Sequence, residues 1–203
     1  MTGVAIQGLP SSARDASRLA SRLGVPMHEI EVHRFPDGEL RVTVGPAAST
    51  TILYASLDHP NDKLVALLLA AEALRRDGVR RLVLVAPYLC YMRQDAAFRT
   101  GEAISQKVIG PLLAGVMDRI VTVDAHLHRT ASIGAVFPGI ESDNLSAMPA
   151  IAATLRTAGL DPQSSDHHPV SGRFRRIDRM VAGTTIARKT AALPMSLARL
   201  ASG

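Results

Sequence analysis

Cysteine, tryptophan and long apolar runs are scarce or missing in the 203-residue sequence. The single cysteine, Cys90, excludes an intramolecular disulfide framework and a zinc site built from several cysteines, and it is consistent with a reducing compartment. Aromatic residues make up 3% of the chain, too few for a platform that stacks single-stranded nucleic acid. No apolar run reaches the ~18 residues that span a bilayer, and no basic flank precedes an apolar N-terminal stretch. We therefore expect a soluble cytoplasmic protein that binds no membrane.

Positive charge is concentrated in the last fifth of the chain. Residues 1–160 hold 16 Lys and Arg against 15 Asp and Glu, whereas residues 161–203 hold 7 against 3. A basic tail can bind nucleic acid, but these charges follow no helical or strand period. The pattern favours an irregular tail and no nucleic-acid partner, which makes a basic nucleic-acid-binding protein the weakest functional class.

Strand-like runs and helical runs alternate over the first 160 residues. Runs rich in Val, Leu and Ile predict strands, and longer runs between capping residues predict helices. The predicted strands lie at 4–9, 50–57, 80–89 and 118–126, and the predicted helices lie at 11–24, 61–78 and 104–117. Residues 29–35 and 39–44 alternate polar and apolar side chains around a Pro-Asp-Gly turn, which predicts a β-hairpin.

This alternation predicts the α/β class, with a parallel sheet covered by helices on both faces. We assign residues 1–150 to one such domain. The pattern is lost beyond residue 162, so residues 151–203 are expected to be the truncated or aberrant start of a second domain, as after a frame shift. Ligands of parallel sheets bind outside the carboxyl ends of the strands, which directs attention to the segments after Leu57, Val85 and Val123.

The segment PYLCYMRQDAAFRTGEAIS, residues 87–105, follows one of these strands and is rich in polar side chains. A guanidinium donates two hydrogen bonds to a phosphate, and a nearby carboxylate can orient it or hold a hydrated cation. The segment is therefore a candidate phosphate-handling loop, although a solvated polar loop would have the same composition. Its candidate residues are Arg93, Gln94, Asp95, Arg99 and Glu102.

The next strand ends in VTVDAHLHR, residues 121–129. His126 and His128 lie two residues apart, so on an extended chain they face the same side, and Asp124 joins them. Imidazole and carboxylate groups at a strand end can hold a divalent metal or contact phosphate, and we take Asp124 and His126 as the candidate metal residues. The alternative is that the histidines are structural.

The predicted hairpin carries RFPDGELRV, residues 34–42. Pro-Asp-Gly is what a tight turn needs, so Asp37 and Gly38 have a structural explanation. Phe35 and Glu39 nevertheless place an aromatic face and an acceptor near the tip, and such a pair could hold a nucleobase and meet its amino group. Other fingerprints of nucleotide binding are missing: GTTIARKT, residues 183–190, has Arg188 where a phosphate-cradling loop requires glycine.

Three segments in this order, RFPDGELRV, PYLCYMRQDAAFRTGEAIS and VTVDAHLHR, resemble the ribose-phosphate pyrophosphokinases, the enzymes that make phosphoribosyl pyrophosphate. The likeness covers roughly residues 4–160. It implies two tandem domains of phosphoribosyltransferase-like fold, of which this chain contains the first, and a homo-oligomer. It also implies transfer of the β,γ-pyrophosphoryl group of ATP, with Mg²⁺, to the anomeric hydroxyl of ribose 5-phosphate.

The resemblance also assigns roles to individual residues. Phe35 would stack on adenine, and Asp37 and Glu39 would meet its amino edge from a neighbouring subunit. Arg93, Gln94 and Asp95 would contact ATP and its phosphates. His126 would lie at the magnesium ion and the γ-phosphate, with Arg93 and His126 acting in catalysis. Lys189 is a candidate for the family's mobile catalytic lysine.

One family feature is missing from residues 1–203. The second domain of the family carries an acidic, Thr- and Gly-rich loop of D-D-x-x-x-T-G type that binds ribose 5-phosphate, and no such segment occurs here. The sequence thus predicts the ATP half of the site without the sugar half. The alternative function is a non-catalytic nucleotide-binding or regulatory subunit of such an enzyme.

Overall fold

Six parallel strands form the main sheet in the computed structural model, which describes residues 3–157. The strands are β1 (Val4–Gly8), β2 (Met27–Glu29), β5 (Thr50–Tyr54), β6 (Arg81–Ala86), β7 (Arg119–Val123) and β8 (Glu141–Leu145). The helices are α1 (Ala13–Leu23), α2 (Pro60–Arg76), α3 (Ser105–Ala114), α4 (Ile133–Val136) and α5 (Met148–Thr157). The strand order is β2-β1-β5-β6-β7-β8, and β3 (Glu31–Arg34) pairs with β4 (Leu40–Thr43) in a separate antiparallel hairpin.

Side chains of the central strands alternate between two apolar layers. Leu82 and Leu84 of β6 face the layer formed with α2, α3 and α4, whereas Val83 and Val85 face the layer formed with α1 and α5. All four are buried, because both faces of a parallel sheet are covered by its crossover helices. The predicted α/β sheet with helices on both faces is therefore confirmed.

The predicted hairpin is also confirmed, and it lies against α2. Val32 and Leu40 pack on the apolar layer that α2 shares with the sheet. At the rim, the guanidinium of Arg34 forms an ion pair with Asp62 in the first turn of α2. These contacts fix the base of the hairpin, while its tip, around Gly38, projects into solvent.

Two strands were not predicted from the sequence. β2 has three residues, and β8 reads Glu-Ser-Asp-Asn-Leu, which lacks an apolar face. β8 forms because it pairs in register with β7 and because Arg119 of β7 makes ion pairs with Glu141, at 2.6 Å, and with Asp143, at 2.7 Å. An edge strand of this kind is stabilised by its neighbour rather than by its own burial.

Three predicted strands extend three residues too far at their carboxyl ends: β5, which ends at Tyr54 rather than at residue 57, β6 and β7. β6 ends at Ala86 because Pro87 has no backbone N–H to donate to the sheet. β7 ends at Val123, not at residue 126, because Asp124 has a left-handed backbone with φ of 45°. The polar residues after each of these strands therefore lie in loops rather than in the sheet.

The C-terminal predictions fall largely outside residues 3–157. The proposed boundary between residues 150 and 151 lies within α5, and the division into two domains stays a prediction. Lys189 and the basic tail lie beyond the described residues. Among the helices that the structure describes, none has both the length and the apolar character needed to cross a bilayer.

Candidate functional site

A cleft of about 630 Å³ opens at the carboxyl edge of the sheet, between the loops that follow β6 and β7. Its walls are residues 88 to 94, except Cys90, and residues 123 to 128. β6 and β7 are hydrogen-bonded neighbours, so two loops far apart in sequence meet over one sheet edge. The cleft therefore lies where parallel sheets bind their ligands, and it joins two of the three segments singled out from the sequence.

The wall after β7 is shaped by Asp124. Its left-handed backbone is uncommon for a residue other than glycine, and such conformations are concentrated at functional sites. The Asp124 N–H donates to the carbonyl of Leu145 at 2.8 Å, and its Oδ2 accepts from the N–H of Ala147 at 3.0 Å. Asp124 thus turns the chain out of the sheet and places the histidines beyond it at the cleft.

His126 and His128 stand side by side on this wall. Their rings are nearly parallel, with an interplanar angle of 14° and 6.2 Å between centroids. Both side chains are exposed. The prediction that the two imidazoles face the same side is consistent with this geometry, and both are accessible to a ligand in the cleft.

Arg93 provides the positive charge on the opposite wall. The side chain is exposed, and within residues 3–157 it makes no hydrogen bond or ion pair. The backbone carbonyl of the neighbouring Gln94 accepts the N–H of Gln106 at 3.2 Å. The side-chain amide of Gln94 donates to the carbonyl of Ala96 at 3.1 Å. Gln94 is therefore partly occupied by the loop itself, whereas the guanidinium of Arg93 is available for an anion.

Glu102 and Arg99, the other polar candidates of this loop, do not line the cleft. Oε2 of Glu102 accepts the backbone N–H groups of Phe98, at 2.8 Å, and of Arg99, at 3.2 Å. Glu102 therefore closes the distal turn of the loop, a structural role that its sequence position did not reveal.

Asp95 lies just outside the cleft and is held by Arg129. Nη1 of Arg129 donates to Oδ1 of Asp95 at 3.0 Å, and the backbone N–H of Arg129 donates to Oδ2 at 3.1 Å. The Asp95 side chain has no exposed surface. Its desolvation favours the neutral acid, but the hydrogen bonds and charge of Arg129 outweigh this and lower the pKa of Asp95. Arg129 was given no role from the sequence, since nothing signals a pairing across 34 residues.

We expect Asp95→Asn to lower the free energy of unfolding at pH 7, with the difference from the parent chain shrinking as the pH falls below about 4. A carboxyl group whose pKa is lower in the folded state stabilises the fold above its unfolded pKa, and this contribution is lost as the pH falls through the folded pKa. Urea unfolding of both chains at pH 7 and in acid measures the difference. In an Arg129→Ala background the effect should largely disappear, and an undiminished effect there would show that Arg129 is not its cause.

The third segment singled out from the sequence follows β5 and leads into α2, which contacts the loop after β6. Tyr91 has a left-handed backbone with φ of 59°, and its hydroxyl donates to the side-chain oxygen of Asn61 in α2. Nearby, Lys63 donates to Asp58 at 2.9 Å and to the carbonyl of Ser56 at 2.8 Å. The Tyr91–Asn61 bond positions the loop after β6 against α2, and the Lys63 contacts hold the segment after β5 to the same helix. They were missed from the sequence because a tyrosine inside an apolar stretch looks like a core residue.

Phe35, Asp37 and Glu39 lie at the hairpin tip and do not line the cleft of their own chain. Phe35 is 37% exposed, and its ring lies edge-on to the His33 ring with 4.8 Å between centroids. Oδ1 of Asp37 accepts the N–H of Glu39 at 3.1 Å, and Gly38 has φ of 94°. Asp37 and Gly38 thus serve the turn, as their structural explanation requires, while the Phe35 ring remains accessible.

No group of three or more His, Cys, Asp and Glu side chains within residues 3–157 could enclose a metal ion. The Asp124 carboxylate nevertheless fits Mg²⁺, which keeps several waters and is bound through one or two carboxylates together with substrate phosphates, and His126 lines the same cleft. Oδ2 of Asp124 is engaged by Ala147, which leaves Oδ1 as its available acceptor. Cys90 is buried, and burial raises the pKa of its thiol to about 11, so it is neither a thiolate ligand nor a nucleophile at neutral pH.

The chain is similar to one family of known proteins. The model of the N-terminal domain of ribose phosphate pyrophosphokinase matches residues 4–116. The chain is 38% identical over 127 residues to the ribose-phosphate pyrophosphokinase of Saccharolobus solfataricus, covering 61% of this chain and 43% of that protein. Against the Vibrio parahaemolyticus ribose-phosphate pyrophosphokinase the identity is 30% over 151 residues, covering 72% and 47%.

Among solved structures, the chain is similar to phosphoribosylpyrophosphate synthetase from Mycobacterium smegmatis, with a TM-score of 0.67 and 25% identity. The superposition covers 77% of this chain and 52% of that one. The chain thus spans about half the length of the relatives that it matches. The family model ends at residue 116, between α3 and β7, so it includes the loop after β6 but not the loop after β7.

Proposed function

The chain belongs to the ribose-phosphate pyrophosphokinase family, and on that premise we propose that the cleft between the loops after β6 and β7 binds ATP with Mg²⁺. The reaction proposed for the whole protein is transfer of the pyrophosphoryl group to ribose 5-phosphate. The observation that carries the proposal is the unengaged guanidinium of Arg93 in a cleft that also exposes His126. Calorimetric titration of the chain with MgATP tests it, and an absence of binding would contradict it.

The phosphates are assigned to the two walls of the cleft. Arg93 would hold them by bidentate hydrogen bonds, and the part of Gln94 not used by the loop would assist. His126, on the other wall, would contact the γ-phosphate. Phosphoryl chemistry depends mainly on positioning and on neutralising charge, which is what an arginine and an imidazole supply here.

Asp124 and His126 are the residues that would hold Mg²⁺. When bound, the ion would neutralise charge on the phosphate oxygens. The chain's own contribution would be orientation. The left-handed turn at Asp124, fixed by hydrogen bonds with Leu145 and Ala147, supports this because it places Asp124 and His126 at the cleft. The role of Asp95 as a direct nucleotide contact stays a prediction, since both of its carboxylate oxygens accept hydrogen bonds from Arg129.

The adenine base is assigned to the hairpin tip of a second copy of the chain. Phe35 would stack on the ring, with Glu39 and Asp37 at its amino edge. The support is that the Phe35 ring is accessible but lies outside the cleft of its own chain, so a neighbouring copy would have to supply it. This proposal includes a homo-oligomer, which we expect in the cytoplasm.

We expect Phe35→Ala to reduce the discrimination between ATP and GTP by about tenfold while leaving the magnesium requirement intact. Stacking is worth ~1–3 kcal/mol for either base, but the ring would also hold the base against the acceptor of Glu39, which distinguishes an amino group from a carbonyl. Competition titrations with the two nucleotides measure the ratio. Phe35→Tyr keeps the aromatic face and should restore most of the discrimination. Unfolding of the domain in Phe35→Ala would instead show that the ring serves the core.

Residues beyond the described range have proposed roles only by resemblance. Lys189 is proposed as the counterpart of the family's mobile catalytic lysine. No segment of residues 1–203 matches the family's ribose 5-phosphate loop. The nucleotide half of the reaction is therefore the part of the proposal that the described residues support.

A further inference from the structure

We propose that Arg129 is a positioning residue that ties together the two loops of the cleft and so sets the separation of Arg93 and His126. The inference rests on the proposed nucleotide site and adds a residue to it. Asp95 is the next residue in the sequence after Arg93 and Gln94 of one wall, and Arg129 is the next residue after His128 of the other wall. The ion pair between them joins the two walls at their outer ends.

The geometry of this pair is that of a strong tie. Two hydrogen bonds, of 3.0 and 3.1 Å, come from one residue to both oxygens of one carboxylate, one from the side chain and one from the backbone. The Asp95 side chain has no exposed surface, so its charge depends on Arg129 for compensation. Half of the Arg129 side chain is exposed, so the pair lies at the protein surface, and removing the guanidinium would take away the side-chain link between the two loops.

A second contact restricts the distal part of the same loop. The guanidinium carbon of Arg129 lies 5.2 Å from the centroid of the Phe98 ring, a cation–π distance. Arg129 therefore contacts the loop at two points, three residues apart. Lysine could form the ion pair, but its compact ammonium cannot also stack on the ring while donating to the carboxylate.

A second link, independent of the Arg129 side chain, holds the base of the loop after β6. Oγ1 of Thr130 donates to Oε1 of the buried Gln106 at 2.7 Å, and the N–H of Gln106 donates to the carbonyl of Gln94. This contact anchors the base of the loop near the start of α3. Removing Arg129 should consequently loosen residues 95–102 without displacing β6, β7 or α3.

The first measurement needs no nucleotide. Hydrogen exchange of the full chain should show residues 95–102 exchanging about tenfold faster in Arg129→Ala than in the parent, with β6 unchanged. The matched control is Arg75→Ala, which removes another arginine–aspartate pair, to Asp118 at 2.7 Å, at the opposite edge of the sheet. That control should leave the exchange of residues 95–102 unaltered.

The second measurement is calorimetric titration with MgATP. Arg129→Ala should bind about tenfold more weakly, Arg129→Lys should recover part of the loss, and Arg75→Ala should match the parent. Because Arg129 acts through Asp95, the double variant Asp95→Ala/Arg129→Ala should lose no more than Arg129→Ala alone. A full additional loss from removing Arg129 in an Asp95→Ala/Phe98→Ala background, where both of its loop contacts are already gone, would mean that Arg129 contacts the nucleotide itself, and would overturn the positioning role.

The two measurements separate this inference from the proposed function. Unchanged exchange in Arg129→Ala overturns the tie, whatever the titration gives. If the parent chain binds no MgATP, the proposed function fails, and faster exchange confined to residues 95–102 still supports the tie. Faster exchange together with weaker binding supports both.

Discussion

Replacing Arg93 with alanine is expected to weaken MgATP binding by about 1.5–3 kcal/mol, the range for a lost hydrogen bond to a charged group. This corresponds to a loss of affinity of roughly 10- to 150-fold. The guanidinium lines the cleft and has no partner within residues 3–157, so its hydrogen bonds are free to go to the phosphates. For the same reason the fold should not depend on it, and the urea midpoint of Arg93→Ala should equal that of the parent.

Arg99→Ala is the control for the charge alone. Arg99 lies in the same loop and is exposed, but it does not line the cleft. Removing its charge changes the net charge by the same amount, and salt screens a charge beyond about 8–10 Å. If Arg99→Ala and Arg93→Ala lost the same affinity for MgATP, the effect would come from long-range attraction between the loop and the nucleotide and not from a contact of Arg93. Equal affinity of Arg93→Ala and the parent in calorimetric titration would remove this loop from the site.

The fold could be predicted from the sequence where apolar patterns decide it. The Val and Leu run of β6 marks a central parallel strand, and the rule for such sheets then places the cleft at its carboxyl end. β8 could not be found in this way, because its polar sequence becomes a strand only when β7 and the Arg119 ion pairs hold it. Its formation is a tertiary effect.

The residues of the candidate site were also predictable from the sequence only in part. Arg93 and His126 were found because they lie beyond or at the carboxyl end of a predicted strand, and the structure brings them into one cleft. The pairing of Asp95 with Arg129 was not found, since it depends on two neighbouring strands that the sequence separates by a helix. The left-handed backbone of Asp124 was missed as well, because a polar residue after a strand carries no sign of its φ angle.

The 203-residue chain is expected to form phosphoribosyl pyrophosphate very slowly or not at all, even though it should bind MgATP. Transfer requires the sugar hydroxyl to be held in line with the β-phosphorus, and orientation of this kind can be worth ~7–11 kcal/mol of the barrier. In the family, a loop of D-D-x-x-x-T-G type binds the 5-phosphate of ribose 5-phosphate, and residues 1–203 lack such a loop. Arg93, His126 and Mg²⁺ would still neutralise charge, but without a positioned acceptor they have little to accelerate.

An assay with ATP, Mg²⁺ and ribose 5-phosphate measures this directly, with His126→Ala as the comparison. If the lost orientation is the cause, fusing residues 1–157 to the second half of a full-length relative should restore turnover, since that half supplies the sugar site. His126→Ala should then abolish turnover in the fusion, because the charge-neutralising wall after β7 comes from this chain. Robust turnover by the 203-residue chain alone, lost in His126→Ala, would show that residues 158–203 build a sugar site of a different sequence, and the predicted loss of orientation would be wrong.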